Sequence, residues 1–262
     1  RFVKERRAYL DTQGGNPVTT TKYDRYSITC VTTGCQGNDT VVINLSAAGS
    51  QITVNGTTTN LNSAGGAFNF DAKTGRDTVT VNAQGVTIAA DLWPTTGRID
   101  FGNLVITLAG TENVSVNAGP LSTVNLNDAA TTNDQLVTGP TASTLSGVDP
   151  TTLETYSLVA RGFTEVFANS TGGADSAVMS DTAGNDVVTA SPGALVLSGS
   201  GLKFTVNGFP MVNVVSSAGR DTATLSDSAG DDLFEGQWDM SRLTAANGST
   251  HPMVTVLTKF AS

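Results

Sequence analysis

The sequence predicts an all-β chain built from repeats, read as a parallel β-solenoid of roughly 46-residue units. Three observations carry this. One strand-like phrase recurs five times: DTVVIN at 39–44, DTVTVN at 77–82, STVNLN at 122–127, DSAVMS at 175–180 and DTATLS at 221–226. The stretch beginning at Gly162 matches the one beginning at Gly208 without a gap, at an offset of 46 residues. The composition, with 28 Gly and 6% aromatic residues, suits short stacked strands of Val, Ile, Leu and Thr separated by turns. No stretch after residue 26 shows a helical period.

Taken in order, residues 1–26 stand apart. They read as irregular or helical, a basic cap or docking arm, and residues 1–25 hold six bases against three acids. Arg1, Lys4, Arg6 and Arg7 are its leading charges. The start at Arg suggests a proteolytic end or an excised piece of a larger protein. Cys30 and Cys35, the two cysteines, enclose a short Gly-containing loop. That spacing predicts a disulfide and an oxidising, extracellular setting.

The repeat body spans 27–262, with units starting near 39, 77, 122, 175 and 221. One unit reads as about five strands. Turn residues such as SPG (191–193) separate runs with alternating apolar positions. Two architectures fit. In a solenoid each unit makes about two coils, and DSAVMSD, LKFTVNG and DTATLSD stack in one ladder. In a tandem antiparallel sandwich or hairpin array, 99–106 is a hairpin around Gly102-Asn103 and 194–206 another around Gly199–Gly201. The final PMVTVLTKFAS (252–262) matches PMVNVVSSAG (210–219) and stops where the next phrase is due. An open terminal coil at Val254 and Val256 is therefore expected to pair with another copy.

DTATLSDSAGDDLFEG (221–236) and SDTAGNDVVTASPGALVLSGSG (180–201) resemble the acidic tandem repeats of very large bacterial extracellular and cell-surface proteins. The resemblance covers roughly residues 110–236. It implies secretion and a structural or adhesive role without a reaction. The family is often associated with calcium, but the calcium-binding nonapeptide GGxGxDxUx is missing from this sequence. Calcium does not carry over with the likeness.

The residues themselves offer the acidic turns. Asp175, Asp181 and Asp186 recur as Asp221, Asp227 and Asp232, with Asp231 added. Carboxylates repeated in successive coils repel unless a cation or water lies between them, and Ca²⁺ accepts oxygen-rich turns. The competing reading is that they cap turns in water. A zinc site is disfavoured by the single His251. The other functional reading is a calcium-assisted polysaccharide lyase or polysaccharide-binding β-helix. Its bases would come from Arg161, Lys203 and Arg220, although Arg220, like Arg76, reads better as part of the repeat. Sequons at Asn38, Asn44, Asn55, Asn113, Asn169 and Asn247 leave glycosylation open.

The net charge of −9 argues against nucleic acid as a partner, and no run is long and apolar enough to span a membrane. The expectation is a non-enzymatic, secreted structural protein that stacks head to tail with copies of itself, with surface polysaccharide as a further partner.

Overall fold

The computed structural model describes residues 18–22, 25–29, 37–61, 66–237, 240–244 and 254–258. Cys30, Cys35, Arg1, Lys4, Arg6, Arg7, Trp238, Asn247 and His251 lie outside them, as do the side chains of Val254 and Val256. The described chain is a β-solenoid without a helix.

The chain enters with β1 (Val18–Lys22) and β2 (Arg25–Thr29). Unit one holds β3 (Thr40–Asn44), β4 (Ser50–Val54), β5 (Thr57–Leu61), β6 (Gly66–Asp71) and β7 (Thr78–Asn82). Unit two holds β8 (Ala89–Trp93), β9 (Thr96–Phe101), β10 (Leu104–Ala109), β11 (Asn113–Asn117) and β12 (Thr123–Asn127). Unit three holds β13 (Gln135–Thr138), β14 (Ser143–Val148), β15 (Thr155–Arg161), β16 (Glu165–Asn169) and β17 (Ser176–Ser180). Unit four holds β18 (Val187–Ser191), β19 (Ala194–Gly199), β20 (Leu202–Asn207), β21 (Met211–Val215) and β22 (Thr222–Leu225). A fifth unit begins with β23 (Leu233–Gly236), β24 (Met240–Thr244) and β25 (Val254–Thr258).

Two sheets face each other. Sheet I runs β1-β2-β6-β10-β9-β8-β12-β16-β20-β19-β18-β22, and sheet II runs β23-β24-β25-β21-β17-β13-β14-β15-β11-β7-β3-β4-β5. In every complete unit the first three strands form an antiparallel meander in one sheet. The fourth crosses to the other sheet, and the fifth returns to stack in parallel on the first. A unit therefore crosses between sheets three times, which is one and a half turns. The next unit starts in the opposite sheet. Each unit gives four strands to one sheet and one to the other, so only this alternation keeps the two sheets level.

The two architectures predicted as rivals thus coexist. The frame is a parallel solenoid, and the predicted hairpins sit inside it. Gly102-Asn103 joins β9 to β10, and Ser200-Gly201 joins β19 to β20. Ser200 and Gly201 have φ of 48° and 78°, as a tight primed hairpin turn requires. Three expectations need correction. DSAVMS (β17) lies in sheet II, whereas LKFTVN (β20) and DTATLS (β22) lie in sheet I, each beside a different neighbour, because a unit is one and a half turns and not two. Residues 18–22 and 25–29, expected to be irregular or helical up to 26, form an antiparallel hairpin. Their β-branched and aromatic side chains fit a pleated strand. Third, β25 is an interior strand between β21 and β24, so Val254 and Val256 do not form the open edge. Among the described strands, those at that end of the two sheets are β22 and β23.

Strand side chains alternate in and out along both sheets. The inward set includes Val41, Ile43, Phe68, Phe70, Val79, Val81, Ile106, Leu126, Leu158, Met179 and Val214 and packs as one cluster. Each such burial contributes about 1.5–3 kcal/mol. The core is one side chain thick on each sheet, so few aromatics suffice.

Candidate cation sites at the coil crossings

The acidic residues gather where one unit ends and the next begins. Two crossings repeat one design. An Asp follows the fifth strand of a unit (Asp128, Asp181). An Asn-Asp pair precedes the first strand of the next (Asn133-Asp134, Asn185-Asp186). A Gly-x-Asp precedes the fifth strand stacked on it (Gly173-Ala174-Asp175, Gly219-Arg220-Asp221).

Hydrogen bonds tie these turns together. Asn133 Oδ1 accepts the Ala174 N–H at 2.8 Å, and Asn185 Oδ1 accepts the Arg220 N–H at 2.9 Å. Asp175 Oδ1 accepts the Asp134 N–H at 2.6 Å, and Asp221 Oδ1 accepts the Asp186 N–H at 2.9 Å. Unit one repeats the lock with Gly37-Asn38-Asp39 under Gly75-Arg76-Asp77. There Asn38 Oδ1 takes the Arg76 N–H at 3.0 Å, and Asp77 Oδ1 takes the Asp39 N–H at 2.6 Å. This explains the recurring GND and GRD: Arg76 and Arg220 contribute backbone N–H groups to the repeat. Unit two departs from the pattern. Ser122 Oγ accepts the Ile88 N–H at 3.1 Å, and no acid is present at either position.

The glycines are forced by the same packing. A Cβ on Gly173 would lie 1.7 Å from Thr132 O, and one on Gly219 1.9 Å from Gly184 O. Both residues have positive φ, 106° and 114°. A second glycine makes room for a carboxylate: a Cβ on Gly147 would lie 1.5 Å from Asp134 Oδ1, and one on Gly199 1.6 Å from Asp186 Oδ1. The Ser-Gly that closes TLSG and VLSG is therefore a cradle for an acid.

The result is two groups, Asp128–Asp134–Asp175 and Asp181–Asp186–Asp221, each with one oxygen per residue within 4.8 Å of the others. Five of the six residues are buried, and Asp221 is partly so. Asp128 accepts both the N–H (2.9 Å) and the hydroxyl (2.7 Å) of Thr171. Asp181 Oδ1 accepts the Ser217 N–H at 2.7 Å, while its buried Oδ2 accepts no hydrogen bond. Thr182 Oγ1 donates to Asp186, and Ser216 Oγ to Asp221 at 2.6 Å.

Burial pushes the carboxyls of Asp134, Asp175 and Asp186 above their ordinary range, and neighbouring carboxylates push the same way. Hydrogen bonds from Thr132, Ser170 and Thr182 oppose this only in part. Tyr156 is buried against Gly147 beside Asp134, and its hydroxyl is pushed well above the usual tyrosine range, by burial first. Among the described residues no ion pair reaches either group. These all-oxygen groups could hold a metal ion.

Asp175, Asp181, Asp186 and Asp221, singled out from the sequence, thus fall into two groups. Crossings from sheet I to sheet II lie along one edge of the coil and the return crossings along the other, so the groups occupy opposite edges. Asp175 does not stack on Asp221, contrary to a simple ladder. Asp128 and Asp134 were missing from the predicted set, although both align with Asp181 and Asp186 at offsets of 53 and 52. Asp227 and Asp232 repeat the first two positions at a third crossing. Ser228 Oγ donates to Asp232 at 2.8 Å, and Asp231 takes the place of Asn185. Of the remaining bases, Arg161 bonds Ser115 Oγ at 3.0 Å, and Lys203 pairs with Glu165 at 2.8 Å. The amide nitrogens of sequon residues Asn55, Asn113 and Asn169 donate to Asp39, Asp77 O and Asn127.

Comparison with protein-family models, curated proteins and solved structures yields no match for this chain. No helix among the described residues is long and apolar enough to cross a membrane.

Proposed function

We propose that this chain is a non-enzymatic structural module of an extracellular or cell-surface assembly. Its units stack head to tail, and its coil crossings are held by calcium. The observation that carries the stacking is the end face made by β22 and β23. Phe234 occupies the place of Val188 and Leu136, both 0% exposed, yet is itself 60% exposed. Ala223 and Leu225 stand where Ala177 and Met179 are buried. Among the described residues no strand pairs with the outer edge of either, which leaves backbone groups there for another strand. A contact of this kind between unlike ends propagates as a filament. The basic first 25 residues and the acidic remainder supply a salt-sensitive attraction.

Calcium is favoured by the all-oxygen donor sets, the glycine cradles and the unpartnered Asp181 oxygen. The likeness of residues 110–236 to acidic repeats of bacterial surface proteins supports secretion. Light scattering and electron microscopy across concentration at low salt test the stacking. Growth of the particle, blocked by Phe234→Asp, is the expected result. A strictly monomeric particle under those conditions removes it.

A second reading, polysaccharide binding or lysis, has one observation behind it. Trp93, 40% exposed, and the outward-facing Phe167, with Lys203 5.7 Å above its ring, share the outer face of sheet I. Assay of anionic polysaccharides for new unsaturated ends, with and without Ca²⁺, decides it.

A further inference from the structure

Unit one carries the same turn lock as the later units but lacks their third carboxylate. Its crossing presents Asp39 and Asp77 immediately before the paired parallel strands β3 and β7. Both are enclosed, at 2% and 0% exposed. Asp39 Oδ1 accepts the Asn55 amide at 2.5 Å, and Asp77 Oδ1 accepts the Asp39 N–H at 2.6 Å. The other two oxygens, Asp39 Oδ2 and Asp77 Oδ2, are both buried and accept no hydrogen bond. One coil further on, Glu112 Oε2 accepts the Asp77 N–H at 2.8 Å.

Among the described residues, the charged groups that act on Asp77 are all acids. Glu112, just before β11, and Glu154, just before β15, both act on Asp77. On the β4 side the neighbour is Asn55. Arg76, in the covering turn, is exposed, and its N–H bonds Asn38. The turns above are packed backbone on backbone, since a Cβ on Gly75 would lie 2.2 Å from Gly37 O. Two buried carboxylates with an idle oxygen each cannot both keep a full charge without a partner. Two ligands under a closed turn suit a divalent ion poorly, and the pair is not among the three-carboxylate groups.

We propose that Asp77, enclosed against Asp39, is a proton-binding site, and that the proton it takes up locks the first coil to the second. Burial first, then Glu112, Asp39 and Glu154, raises the Asp77 carboxyl to about 6. The lock is therefore closed in mild acid and loosens as the pH rises past that value. It stands apart from the cation groups and holds whether or not those bind calcium.

Carboxyl-carbon NMR of the full chain tests this directly. A carboxyl of this pair should titrate near pH 6. Asp77→Asn keeps an oxygen to accept the Asp39 N–H and removes the charge and its titration. It should melt no lower than the unmodified protein at pH 8 and lose part of the gain on acidification to pH 5. Asp77→Ala should melt lower throughout. Titration of both carboxyls below pH 4.5 would overturn the proposal. So would a calcium-dependent shift of these two signals at pH 7.5, since the ligand would then be a cation. The NMR result stands on the unmodified chain even if a variant fails to fold.

Discussion

At the crossing turns, one methyl group decides whether two coils can approach. Gly173→Ala and Gly219→Ala place a Cβ inside a backbone carbonyl of the coil below, at residues with positive φ. Each should cost more than about 2 kcal/mol in denaturant unfolding, because neither clash nor strain can be relieved by a rotamer. Gly199→Ala meets only a carboxylate, Asp186, which can swing away. Its expected effect is a milder loss of stability in the same unfolding experiment and, if the group holds a cation, a marked loss of that binding by calorimetry. Asp77 sets a pH dependence whose sign follows from its raised value. The folded chain holds the proton more tightly than the unfolded chain does. The stabilisation, at most about 3 kcal/mol, is complete below the ordinary value of 3.8 and lost as the pH rises through about 6. Thermal melts from pH 8 to 4 of the unmodified chain and Asp77→Asn isolate that share.

At the scale of the element, the strands are short and depend on what ends them. Asparagine ladders do this at the C-terminal ends of parallel strands. Asn117 donates to Asn82 and Asn82 to Asn44, each at 2.9 Å, in sheet II. Asn207 donates to Asn169 at 2.9 Å and Asn169 to Asn127 at 3.0 Å in sheet I. A middle rung matters most because it both donates and accepts. Asn82→Ala and Asn169→Ala should each cost about 1–3 kcal/mol, and Asn44→Ala, at the end of its ladder, less. Urea unfolding of the three variants checks the order. The meanders obey a different rule, since their positions are set by tight turns such as Asn55-Gly56, whose φ values are 47° and 85°.

For the whole molecule, the governing fact is that one unit makes one and a half turns. Units related by this half-turn are interchangeable. Removing residues 176–221, one full offset of 46, joins Asp175 to Thr222 and should leave a shorter solenoid that still folds, less stable by about one unit interface. Removing about ten residues fewer should break the alternation of sheets. Circular dichroism and small-angle scattering distinguish the outcomes. If the carboxylate groups bind calcium, the melting temperature should rise with Ca²⁺, by the equivalent of about 2.7 kcal/mol at a hundredfold excess over Kd. Asp186→Asn should remove part of that rise. No change with Ca²⁺ would leave the two acidic groups as turn caps.

The sequence by itself determined an all-β repeat chain and its turn residues, and favoured a solenoid over an antiparallel array. Each of these is a local consequence of period-two alternation, of Gly and Asn where φ is positive, and of a phrase that recurs every 38 to 53 residues. It also marked Asp175, Asp181, Asp186 and Asp221 as a chemical set, because acids recurring at one offset stand out in a chain poor in bases. Only the tertiary structure decided which acids meet. Asp134 joins Asp175 across 41 residues because the fifth strand stacks on the first, and Asp128 joins them from the preceding unit. Linear spacing cannot carry that pairing, since a three-strand meander intervenes and folds back along the axis. The same odd number of crossings put DSAVMS and DTATLS in opposite sheets. Among the described strands, it also moved the end of the two sheets from β25 to β22 and β23. The unpaired oxygens of Asp39 and Asp77 are likewise a property of burial, which depends on what lies above and below a residue and so appears only once the coils are stacked.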